Sequence, residues 1–190
     1  MDENIKFNRR KFFTFAKDNR QGALAAMSKE VLGSTYKREH LRPPGAIPEP
    51  EFLVTCTRCG YCAEACPYGS IELIENNENS LKDNTPTINV FDTPCHYCQD
   101  TPCVTACEPG ALNKKAIGGM GKAKFKQEHC LVTQGQYCDY CFNSCPATIK
   151  AITKTDAKIP EIDQDKCIGC GKCAYICVSQ TGKAIIIEPS

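Results

Sequence analysis

Cys56-Thr57-Arg58-Cys59-Gly60-Tyr61-Cys62-Ala63-Glu64-Ala65-Cys66-Pro67 decides the reading of this chain. Its cysteines are separated by two, two and three residues and closed by proline, the bacterial ferredoxin spacing that wraps a short loop around a [4Fe-4S] cube. Working outward, three more runs of four appear: Cys95, Cys98, Cys103 and Cys107; Cys130, Cys138, Cys141 and Cys145; and Cys167, Cys170, Cys173 and Cys177. The last repeats the regular spacing but ends in Val178. In the second, four residues separate Cys98 from Cys103; in the third, seven separate Cys130 from Cys138, and Pro146 closes the run. All 16 cysteines of the chain are used, so the count implies four clusters.

Two other chemistries compete for these residues. Disulfide frameworks rarely place cysteines two residues apart four times over, because so short a loop strains the bridge. Zinc sites use paired Cys-x-x-Cys motifs, but those leave no reason for third and fourth cysteines at fixed offsets. A zinc-stabilised interaction module is therefore the reading from a different functional class.

With 42% apolar residues and no tryptophan among 190 residues, the organic core is weak. Cluster ligation should supply much of the folding energy. The formal charge is +1, but each oxidised cube with its four thiolates adds about −2, giving roughly −7 for four. An acidic holoprotein argues against nucleic acid as a partner. No glycine-rich dinucleotide fingerprint, nucleophile elbow or P-loop is present, and no catalytic residue is assigned.

Residues 1–50 hold no cysteine, carry ten basic against six acidic residues, and end in the proline-rich Arg42 to Pro50, read as an extended strap. Residues 51–190 form the tetra-cluster domain. The fold class is α+β and loop-rich: two interleaved bacterial-ferredoxin-like modules built around four [4Fe-4S] clusters. Short strands are expected at Ile71 to Ile74, Thr87 to Phe91, Ile159 to Ile162 and Ala184 to Ile187, with one helical turn before each fourth cysteine. The basic stretch Lys114 to Lys126, with three glycines, reads as a loop or hairpin that can steer an acidic redox partner or simply form a solvated face.

In two-cluster ferredoxins the fourth cysteine of each run ligates the other run's cluster. Runs one and four share the regular spacing, so the outer runs are expected to pair, with the inner two, about 92–147, as an inserted module. Cys56, Cys59 and Cys62 would take Cys177; Cys167, Cys170 and Cys173 would take Cys66; Cys95, Cys98 and Cys103 would take Cys145; Cys130, Cys138 and Cys141 would take Cys107. The alternative pairs run one with two and three with four.

The strap Leu41-Arg42-Pro43-Pro44-Gly45-Ala46, the regular first run, the four-residue gap in the second and the seven-residue gap in the third together resemble the NapG/MauM ferredoxin-type proteins over residues 41–190. The resemblance implies a four-cluster carrier of single electrons, itself not an enzyme. Its implied donor is a membrane-bound polyferredoxin or other quinol-oxidising subunit. Its implied acceptor is a periplasmic reductase, such as nitrate reductase, or that reductase's cytochrome. The outer pairing also looks like that of iron-sulfur subunits of molybdenum oxidoreductases; the alternative function, kept open by the weak export signal, is a cytosolic iron-sulfur subunit of a molybdenum or tungsten enzyme.

Asn8-Arg9-Arg10-Lys11-Phe12-Phe13 is similar to a twin-arginine export signal, which would place the chain at the periplasmic face of the inner membrane. Lys17, Asp18 and Arg20 interrupt the apolar stretch such a signal needs. The competing reading is an amphipathic docking helix with Phe12, Phe15 and Ala16 on its apolar side, and a cytoplasmic chain. No stretch is long enough to span a bilayer. Tyr61, Tyr68, Tyr97, Tyr137, Tyr140 and Tyr175 lie within two positions of a cysteine and are expected to wall the clusters from water. His96 and His129 each sit beside a cysteine; neither is assigned as a ligand.

Overall fold

A computed structural model of the chain describes residues 38–75, 81–179 and 182–190. The twin-arginine-like segment and the alternative docking helix lie outside them. The compact unit is Lys37–Ser190. Helix α1, Glu49–Thr55, begins at Pro48, where a fixed φ and a missing N–H suit a helix start. Four one-turn helices follow: α2, Tyr61–Glu64; α3, Pro102–Thr105; α4, Tyr140–Ser144; and α5, Lys172–Tyr175. Each immediately precedes a fourth cysteine, as the three-residue gaps imply. Gly60 and Gly171 open α2 and α5 at φ of 81° and 85°, a left-handed turn that glycine adopts without a side-chain clash.

Among the described residues six short strands pair as three antiparallel ribbons. Strand β1, Glu72–Leu73, pairs with β2, Pro86–Thr87. Strand β4, Ile152–Lys154, pairs with β5, Pro160–Ile162. Strand β3, Gly121–Phe125, pairs with β6, Ile185–Pro189, from Gly121 opposite Pro189 to Phe125 opposite Ile185. An isolated bridge joins Ala46 to Leu112.

These pairings give the chain an internal repeat. Runs one and two flank the ribbon β1–β2 and are closed outside by the Ala46–Leu112 bridge. Runs three and four flank β4–β5 and are closed outside by β3–β6. The connection within each half is local, so neighbouring runs meet: α2 packs on α3, and α4 on α5. The expected interleaving of outer and inner runs is thereby corrected to two consecutive halves.

The proline-rich strap lies against the rest of the fold. It is packed into the compact unit, with Leu41 and Arg42 buried. The Arg42 guanidinium is wholly enclosed; it donates to the Glu49 carboxylate at 2.5 Å, the Thr85 hydroxyl at 2.8 Å and the Pro86 carbonyl at 2.8 Å. It also lies 4.7 Å from the Phe52 ring centroid. A buried charge is tolerated when its donors are satisfied in this way, and the bonds tie strap, α1 and β2 together. The rest of the core is assembled from small contributions by many elements, among them Phe52, Val90, Val104, Met120 and Ile185, with Cys62, Cys95, Cys167 and Cys173 in the same cluster.

Candidate metal centres

Four cavities take up the sixteen cysteines, each once. The first is lined by Cys56, Cys59, Cys62 and Cys107, and the second by Cys95, Cys98, Cys103 and Cys66. The third is lined by Cys130, Cys138, Cys141 and Cys177, and the fourth by Cys167, Cys170, Cys173 and Cys145. Each offers about 340 to 400 Å³ of space between atoms, part of it open to solvent. Each cavity thus groups the first three cysteines of one run with the fourth of the adjacent run, not of the run expected. Cys107, not Cys177, completes the first set; Cys66, not Cys145, the second; Cys177, not Cys107, the third; and Cys145, not Cys66, the fourth. The likeness to molybdenum oxidoreductase subunits that rested on outer pairing falls with it.

The reason is mechanical. A one-turn helix leaves its run's triplet and delivers the fourth cysteine to the cavity of the run whose helix it packs against. Because α2 packs on α3, Cys66 emerges at the second cavity and Cys107 at the first; α4 and α5 exchange Cys145 and Cys177 likewise.

The donor set suits iron-sulfur chemistry. None of the sixteen cysteines is in a disulfide, and four soft sulfur donors face each cavity. Among the described residues no three His, Cys, Asp or Glu side chains gather so as to hold a single metal ion; the thiols ring a space instead of converging on a point. Backbone N–H groups point at sulfur as well. Leu112 donates to Cys107 at 3.2 Å, Ser70 to Cys66 at 3.3 Å, Tyr97 to Cys95 at 3.4 Å, Ala151 to Cys145 at 3.3 Å and Ala123 to Cys167 at 3.4 Å. Such bonds favour the thiolate and are among the levers that set a cluster's potential.

Burial acts in the opposite direction. It pushes the Cys62 thiol up to about 12, the neighbouring cysteines adding to the rise. It does the same to Cys95, about 12, and Cys141, about 11, and it raises Cys173 too. Thiolates in these cavities need a compensating positive charge, so iron binding and deprotonation are linked.

Among the described residues three cations donate to carbonyls of the run cysteines, a feature the spacing gave no signal for. Arg58 donates to the Cys56 carbonyl at 3.1 Å, Lys122 to the Cys167 carbonyl at 2.9 Å and Lys183 to the Cys177 carbonyl at 3.0 Å. The tyrosines, by contrast, fall short of a wall. Tyr61, Tyr68, Tyr137, Tyr140 and Tyr175 are all exposed, and only Tyr68, Tyr97 and Tyr140 line cavities. His96 stacks on Tyr68 with ring centroids 3.8 Å apart at the edge of the second cavity. His129 lies against Gly182 and accepts from the Ser179 hydroxyl through its carbonyl.

Comparison with known proteins agrees with this geometry. Residues 55–111 match the family described as a 4Fe-4S dicluster domain, which spans the first two runs as one unit. Residues 159–182 match a 4Fe-4S binding domain. The chain is 40% identical over 153 residues to the ferredoxin-type protein NapG of Escherichia coli (strain K12), covering 73% of this chain and 66% of that protein. It is 40% identical over 158 residues to the methylamine utilization ferredoxin-type protein MauM of Methylorubrum extorquens, covering 76% and 71%. With MauM of Methylophilus methylotrophus it shares 38% over 174 residues, covering 82% and 74%. The chain thus spans just under two thirds of the NapG relative's length.

Proposed function

Since the chain belongs to the NapG/MauM ferredoxin-type family, we propose that it carries single electrons through four [4Fe-4S] clusters, one in each cysteine cavity. The observation that carries this reading is the exhaustive division of sixteen free cysteines into four rings of four. When bound, the clusters supply the redox chemistry; the chain fixes their separation, excludes water and adjusts their potentials within the roughly −700 to +450 mV that such centres span. The N–H···S bonds and the cations on cysteine carbonyls both stabilise added negative charge, so they raise the potentials. Chemical transformation belongs to the partners.

The proposed donor is a membrane-bound quinol-oxidising partner and the proposed acceptor a periplasmic reductase, such as nitrate reductase, or its cytochrome. Among the described residues no helix is long and apolar enough to cross a membrane, so the partner supplies the contact with quinol. Membranes containing that partner, given quinol under anaerobic conditions, should bleach the visible absorption of the purified holoprotein. A protein that dithionite reduces but those membranes leave oxidised would contradict the assignment of donor. N-terminal sequencing of protein from fractionated cells tests the location: an intact Met1 in a cytosolic fraction would exclude export.

A further inference from the structure

The second and fourth cavities lie in different halves of the fold, and one side chain runs from one to the other. The Tyr97 backbone N–H donates to Cys95 Sγ at 3.4 Å, and Tyr97 lines the second cavity. At the other end of the residue, its hydroxyl lies 3.0 Å from the carbonyl oxygen of Ile168, which follows the ligand Cys167 and lines the fourth cavity. The hydroxyl also lies 2.9 Å from the Gly118 carbonyl and accepts from the Met120 N–H at 3.1 Å. That N–H in turn reaches the Ile168 carbonyl at 2.9 Å. Whichever carbonyl takes the phenol hydrogen, the connection to Ile168 is kept. One residue, bonded through its backbone N–H to a ligand sulfur of the second cavity and through its side-chain hydroxyl to the ligand loop of the fourth, joins the two.

Two further observations mark this contact as built. Tyr97 sits at a φ of +48°, a left-handed conformation that residues with a side chain seldom adopt. Such outliers persist where the surroundings fix them, and they gather at functional sites. Close by, Gly171 of the fourth run presses on Val90, which precedes the second run: a Cβ on Gly171 would stand 2.3 Å from Val90 Cγ1. The two halves therefore meet through the loop of the fourth run and the segment carrying Tyr97.

We propose that Tyr97 is the junction by which electrons cross between the two halves, making the clusters a single line in the order first, second, fourth, third. This rests on the reading that the cavities hold [4Fe-4S] clusters. In each crossing the donor cluster is oxidised by one electron and the acceptor cluster reduced by one. No bond is made or broken; the phenol keeps its proton and is not itself oxidised. Tyr97 acts by shortening the path through bonds and by fixing the separation.

The test uses anaerobically purified holoprotein, parent and Tyr97→Phe, with Tyr97→Leu as a second variant. A pulse of photogenerated one-electron reductant is followed by freeze-quench EPR, which reports the redistribution of electrons among the clusters. Removing the hydroxyl should slow redistribution between the halves several-fold, and removing the ring should slow it further. In Tyr97→Phe, which keeps the ring in the cavity lining and the N–H on Cys95, iron content and equilibrium midpoint potentials should stay at the parent values, a combination that a purely structural role would not produce. An unchanged rate in Tyr97→Phe with four clusters present would overturn the junction while leaving the proposed function standing. Loss of clusters in Tyr97→Phe would also overturn it, by making the hydroxyl a structural clamp. A parent protein without iron would remove the proposed function itself.

Discussion

At the scale of single residues the fourth cysteine of each run carries the most information. Cys107 faces the first cavity and Cys177 the third, so Cys107→Ser should remove the cluster of Cys56, Cys59 and Cys62 and lower iron from about sixteen to about twelve per chain. Cys177→Ser should instead remove the cluster of Cys130, Cys138 and Cys141. Distinct EPR signals lost in the two variants would check this; loss of the same signal in both would contradict the grouping. The cations on cysteine carbonyls predict a subtler effect. Lys122→Met should lower the potential of the fourth cluster by an amount on the order of tens of millivolts, seen in a redox titration, with the other three unmoved. Arg42 is a structural case. Arg42→Met removes the closer of the two guanidinium partners of the buried Glu49 carboxylate and leaves Arg38 at 3.6 Å, so the cost should fall below the about 3–5 kcal/mol of a fully orphaned buried charge. The variant should bleach at lower urea concentration than the parent, and adding Glu49→Met should recover part of the loss.

Among the elements, the helical turns were legible because a three-residue gap between cysteines leaves room for little else, and α2 to α5 stand where those gaps fall. Strand β3 was not legible: Gly121-Lys122-Ala123-Lys124-Phe125 has no apolar run and sits in a basic, glycine-rich stretch. Its partner is the far end of the chain, where Ile185, Ile186 and Ile187 supply the apolar surface. The strand expected over Thr87 to Phe91 shrinks to Pro86–Thr87 because Asn89 and Asp92 turn the chain back, with the Asp92 and Thr93 N–H groups bonded to the Asn89 carbonyl. Pairing of the runs could not be read from gap lengths, since a longer gap only enlarges a loop. It is decided by which strands close each half, and Ala46 opposite Leu112 and β3 opposite β6 carry no cysteine signal at all. Gly171→Ala tests the packing between the halves. Its Cβ would meet Val90 at a φ that already disfavours alanine, so the variant should lose clusters faster on warming, and adding Val90→Ala should restore part of the difference.

For the whole molecule, the proposed inorganic centres should fold together with the protein that holds them. Buried thiols whose pKa is raised well above neutrality favour the protonated form at pH 7, so protons compete with iron for the same sulfurs. As pH falls the competition shifts towards the protonated thiol, and loss of iron to a chelator should accelerate; as pH rises towards 9 it should slow. In protein without iron the sign reverses. A raised folded-state pKa contributes stability below the unfolded value near 9, which is lost as pH climbs towards about 12 for Cys62. Circular dichroism of chelated protein across that range would read the change.

The most direct test of the central claim is iron and acid-labile sulfide analysis of anaerobically purified protein, combined with Mössbauer spectroscopy. Four cubes in four cysteine rings predict about sixteen iron and about sixteen sulfide per chain, all iron in [4Fe-4S] environments. A colourless protein with stoichiometric zinc, or one whose iron stops at about eight per chain after full reconstitution, would contradict it.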